Sequence, residues 1–132
     1  MGYCVDISLN NVFITKPYVQ PCLKAINELC KNTLPGQFSW VDSPPKDGWK
    51  DLVLAFKEWR YFCLRIGGCI LLASFEGSKW GDDEILYETI APFVSEDCFI
   101  ECIGEDGCKW KYLFLSGEVV KKNFEEKFAT LD

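Results

Sequence analysis

Two apolar runs, Tyr61–Ile66 and Cys69–Phe75, are separated only by Gly67-Gly68. A two-residue turn between strands needs positive φ at its centre, which glycine adopts readily, so this segment is a tight hairpin. The middle of the chain is thereby committed to antiparallel pairing. The same logic, with a longer turn, predicts a hairpin of Cys98–Ile103 and Lys109–Leu115 around Glu105-Asp106-Gly107. In its second strand Trp110, Tyr112 and Phe114 share one face, and Lys109 and Lys111 share the other.

Helical periodicity interrupts these hairpins. Tyr3, Val5, Ile7 and Leu9 alternate with polar or small residues as in a half-buried strand. Asn10-Asn11 turns the chain, and Val12–Ile14 reads as a second short strand. From Thr15-Lys16-Pro17 to about Lys31, residues Val19, Cys22, Leu23, Ile26, Leu29 and Cys30 form one stripe of a helix, with Pro21 in or near its first turn. Phe38–Val41 reads as a short strand and Ser43–Gly48 as a loop. Asp47 is expected to cap a helix to about Arg60, with Trp49, Leu52, Val53, Phe56 and Trp59 along one side. Asp82 or Asp83 caps a third helix, with Ile85, Leu86, Thr89 and Ile90 inward and Pro92 as its stop. Residues 118–132 read as either an amphipathic helix or an edge strand. The order ββαβαββαββ plus a tail predicts one domain over 1–132. Its class is α+β, an antiparallel sheet of hairpins with about three helices packed on one face.

Composition narrows the chemistry. At 48% hydrophobic and 15% aromatic, 132 residues build a core without disulfides or a structural metal. The eight cysteines contain no C-x-x-C pair, and Met1–Asp6 lacks the basic and apolar regions of a signal peptide. The expectation is a cytoplasmic protein with free, mostly buried thiols. Histidine is absent, which removes the commonest general base and the commonest transition-metal ligand. No run is long enough for a membrane helix. With two arginines, no basic stripe and no phosphate-binding loop, direct nucleic-acid binding is not expected. No cofactor is expected either, and the chain reads as a non-enzyme.

Charge supplies the one pointer to a partner. Residues 76–106 carry −9 (ten acids, one base), whereas the remainder carries +3 (13 bases, ten acids). Glu76, Asp82, Asp83, Glu84, Glu105 and Asp106, with Trp80 in a glycine-bounded loop among them, are the candidate partner-binding residues. The bland alternative is a helix N-terminus stocked with acids for the dipole, plus polar turn residues. A metal site is not expected, because Asp82, Asp83 and Glu84 point to different sides of a helix and no EF-hand pattern is present. Without histidine only a carboxylate or a lysine could activate a cysteine nucleophile, and acidic neighbours raise the pKa of Cys98 and Cys108, the wrong direction for attack.

The segments Gly81-Asp82-Asp83-Glu84, Ile90-Ala91-Pro92-Phe93-Val94, Ile100-Glu101, Gly104-Glu105-Asp106-Gly107 and Trp110 carry a further resemblance. Together they resemble small acidic proteins encoded by phages and mobile elements of gut and soil bacteria. The extra cysteines depart from that pattern. The group has no established activity, so the resemblance transfers no functional residue. It implies a context, inhibition of host defence, anti-CRISPR proteins included. The expected function is a binding protein that offers an acidic surface to a basic, nucleic-acid-handling protein in the host cytosol. One alternative is a small hydrolase or nucleotide-binding enzyme using carboxylates and a divalent ion. Another is a phage structural or homo-oligomeric scaffold protein, with Phe124 and Phe128 at the subunit contact.

Overall fold

The structure, a computed structural model, describes residues 3–31, 48–76, 79–80 and 83–123, with the backbone alone at Tyr3, Lys79 and Trp80. The expected strand at Phe38–Val41, the Asp47 cap, Asp82 and the tail phenylalanines lie outside those residues. The described chain is α+β, with three α-helices and two antiparallel sheets. Its strands are β1 (Tyr3–Asn10), β2 (Phe13–Ile14), β3 (Tyr61–Ile66), β4 (Cys69–Phe75), β5 (Lys79–Trp80), β6 (Cys98–Gly104), β7 (Lys109–Leu115) and β8 (Glu118–Asn123). The helices are α1 (Lys16–Lys31), α2 (Leu52–Glu58) and α3 (Asp83–Ile90), the last followed by a 3-10 turn at Ala91–Phe93.

The single sheet expected from the hairpins divides in two. Five strands run β5-β1-β6-β7-β8, and three run β2-β4-β3. The division falls at Asn11, whose φ of 57° lies in the left-handed region that asparagine tolerates. There the chain leaves β6, its partner through β1, and pairs with β4 through β2. The two sheets meet at this bend, where the Leu72 amide donates to the Val12 carbonyl at 2.9 Å.

Both glycine-marked hairpins form. Gly67 and Gly68 have φ of 56° and 85°, as a two-residue turn of the right hand requires. The described part of the tail, Glu118–Asn123, is an edge strand: β8 pairs with β7 through a second such turn, at Ser116 (φ 50°) and Gly117 (φ 80°).

One core lies between the sheets' inner faces and the helices. The α1 stripe buries Cys22, Leu23, Ile26 and Cys30, with Pro21 one turn inside the helix. The second helix is shorter than its periodicity implies. Asp51 caps it by accepting from the Val53 amide at 2.9 Å, Trp49 lies before it, and Trp59 is its C-cap. Trp49 is held by Asn27 of α1, whose side chain accepts from its amide and donates to its carbonyl, both at 2.9 Å. Gly48 permits this approach: its φ is 80°, and a Cβ there would sit 2.8 Å from Asn27 Cγ. Gly48→Ala is therefore expected to cost about 1–3 kcal/mol, from the left-handed backbone and the displaced Asn27. A urea midpoint shift measures it, and an unshifted midpoint refutes the packing argument.

Candidate functional site

Of the acids that sequence singled out, Asp83 and Glu84 lie in the first turn of α3, where Asp83 is turned inward and Glu84 is about half exposed. Asp83 is completely buried, at 0% exposure. It sits there because α2 ends in a left-handed turn at Arg60 (φ 73°), a position that usually favours glycine. That turn sends the Arg60 side chain, 18% exposed, across the Phe75 ring and onto Asp83 Oδ1 at 3.1 Å. The Tyr61 hydroxyl donates to Asp83 Oδ2 at 2.7 Å and lies 2.6 Å from the Tyr87 hydroxyl. Tyr61 has one proton to give, so Tyr87 is the donor in that second bond. Burial, then the neighbouring Tyr87 and Asp83, push the Tyr61 pKa well above the usual tyrosine range.

Glu84 anchors a second relay on the other side of Tyr87. Trp110 Nε1 donates to the Tyr112 hydroxyl at 3.2 Å, which donates to Glu84 Oε2 at 2.7 Å. Lys121 Nζ of β8 closes on the same oxygen at 3.3 Å. The Tyr87 and Tyr112 rings meet edge to face with centroids 4.9 Å apart. Burial and the Glu84 carboxylate also raise the Tyr112 pKa. Each carboxylate thus has its own cation, and burial keeps Tyr61 and Tyr112 protonated near neutral pH. Such a constellation braces α3 against β3, β7 and β8.

The remaining candidates sort by place. Glu105 and Asp106 are exposed in the β6–β7 turn, which is tightly held. The Glu105 amide donates to the Cys4 carbonyl at 2.9 Å, and the Cys4 amide donates to Glu105 Oε1 at 3.2 Å. Asp106 Oδ1 accepts from the Cys108 amide at 3.1 Å. Across β1, Cys4 pairs with Lys79 and Tyr3 with Trp80, so the Trp80 backbone and the acidic turn share one end of the five-stranded sheet. Glu76 is exposed after β4, where its amide donates to the Arg60 carbonyl at 2.7 Å. Glu96 and Asp97 lie at the opposite end of β6, roughly 20 Å away by strand rise. Within the sheet Glu101 pairs with Lys111. The acidic run in sequence is therefore not one patch in space.

Sequence reasoning did not single out Arg60, Tyr61, Tyr87, Tyr112 or Lys121 as partners of these acids. The shared face of Trp110, Tyr112 and Phe114 held part of the signal, since buried Trp and Tyr need partners for their polar tips. Among the described residues, no three His, Cys, Asp or Glu side chains converge as metal ligands would. No described helix is long and apolar enough to cross a membrane. No known protein family, curated protein or solved structure matches the chain.

Proposed function

We propose that this chain is a non-enzymatic binding protein that docks an acidic turn onto a basic surface of a nucleic-acid-handling protein. The observation that carries this reading is the Glu105-Asp106 turn, exposed yet pinned to β1 by two hydrogen bonds. A preorganised pair of carboxylates loses little entropy on meeting lysines or arginines, and can occupy positions that phosphates would take. Glu76 and the Trp80 strand extend the surface, whereas the buried Asp83 supports it from within. The resemblance to phage-borne acidic proteins suggests the concrete form, an inhibitor of host defence that blocks a nucleic-acid groove by occupancy, as an anti-CRISPR protein does.

The test is capture from bacterial lysate by the intact chain and by the Glu105→Lys/Asp106→Lys variant, each at low and high salt. A basic nucleic-acid-binding protein should be retained at low salt and released at high salt. The variant should bind it at least roughly tenfold more weakly, because two attractive contacts become repulsive. Equal retention by the variant removes the acidic turn from the interface.

A further inference from the structure

The two described sheets have four edges, and three are protected. Strands β2 and β5 are two residues long, and β8 carries Glu118, Lys121 and Lys122. Short or charged edges resist pairing with another chain. The fourth edge, β3, is six residues long, and its one charged side chain, Arg65, is ion-paired with Asp51. Its inward residues Tyr61 and Cys63 are buried, while Phe62, Leu64 and Ile66 on the outer face are 50%, 43% and 50% exposed. Exposure on this face concentrates along the edge: Leu71 on β4 and Phe13 on β2, at neighbouring outward positions, are only partly exposed. Among the described residues, what β3 lacks is a neighbour on its open side.

We infer that a second copy of this chain fills that place, pairing β3 antiparallel with β3 about a two-fold axis at Leu64. The strand is self-complementary in this arrangement. Leu64 faces Leu64, and Phe62 faces Ile66 in both directions, so each half-exposed side chain gains an apolar cross-strand partner. No uncompensated like charges meet, because each Arg65 keeps its Asp51. The two three-stranded sheets become one of six strands. Two such edges with their outer side chains bury on the order of 500 Å² per copy, below the ~800 Å² of a standard interface, so the dimer is weak and concentration-dependent. The inference does not depend on the acidic turn, which lies on the other sheet.

Sedimentation equilibrium of the full chain from roughly 1 to 500 μM tests it, as a span around the micromolar affinities of small interfaces. A monomer–dimer transition is expected, with amide exchange at residues 62–66 slowing as dimer forms. Leu64→Lys should abolish the transition. Its far-UV spectrum and melting temperature at low concentration should match the parent, since Leu64 is exposed in the monomer. Leu54→Lys, on the exposed side of α2, should leave dimerisation intact. A monomer at every concentration overturns the inference, as does a dimer that persists in Leu64→Lys or leaves exchange at 62–66 unchanged.

Discussion

Replacing Asp83 with alanine is expected to destabilise the domain by about 3–5 kcal/mol, the cost of breaking a buried ion pair from one side. The Arg60 guanidinium loses the carboxylate at 3.1 Å, and the Tyr61 hydroxyl loses its acceptor at 2.7 Å. Arg60 retains some solvent contact, which places the effect toward the lower end of that range. For a domain stable by about 5–15 kcal/mol this is a large fraction of the total. Asp83→Asn should cost less, because the amide oxygen still accepts from Tyr61 while the charge is lost. The Arg60→Leu/Asp83→Leu double variant should recover much of the loss, since both charges leave the interior together. Urea midpoints of the single and double variants give the coupling directly. An Asp83→Ala midpoint within about 1 kcal/mol of the parent would mean the carboxylate is not braced as described. The result also separates two reasons for lost binding. Asp83 variants should fail through the fold, whereas Glu105 and Asp106 variants should fail with the fold intact.

Local rules reached the hairpins and the helix stripes because each depends on neighbours within a few residues. Gly67-Gly68 and the Trp110-Tyr112-Phe114 alternation appear in the structure as the sequence implies. Pairings set by distant contacts were not legible. Nothing local says that the bend at Asn11 carries the chain from one sheet to the other, or that β1 pairs with β6 about ninety residues later. The acidic segment shows the same limit. A count of charges along residues 76–106 treats Asp83, Glu84 and Glu101 as available. The cations that pair with Asp83 and Glu84, Arg60 and Lys121, come from the end of α2 and from β8, and the strand partner of Glu101 is Lys111 of β7. Glu105 and Asp106 remain outward where their local turn chemistry already favoured exposure.

Raising the pH should unfold this protein at lower alkalinity than its tyrosines alone would dictate, because its core holds neutral thiols. Burial pushes Cys22, Cys63 and Cys102 up to about 12, and Cys98 up to about 11. In the unfolded chain the same thiols ionise near their ordinary value of 9.0. Below that value both states are protonated and the full stability is present. Between about 9 and 11 the unfolded chain has released protons that the folded chain still holds, so stability falls as pH rises. Each such proton is worth about 1.4 kcal/mol per pH unit, which sets a ceiling of about 5 kcal/mol per unit for four thiols. Tyr61 and Tyr112, also raised by burial, add to the loss above the ordinary tyrosine pKa. A stability of about 5–15 kcal/mol is then exhausted within a few pH units, with unfolding expected between about pH 9.5 and 11. Circular dichroism and thiolate absorbance near 240 nm, followed together in a variant whose partly exposed Cys4, Cys69 and Cys108 are replaced by serine, should change in one step, because the buried thiols ionise only when the core opens. Cys22→Ala/Cys102→Ala removes two of these protons, while Cys63, Cys98 and the also raised Cys30 remain, and should make the decline clearly shallower wherever the protein stays folded enough to titrate. In that triple variant, thiolate absorbance that rises near pH 9 with the circular dichroism unchanged would show that the buried cysteines are solvated, and the burial argument would fail with them.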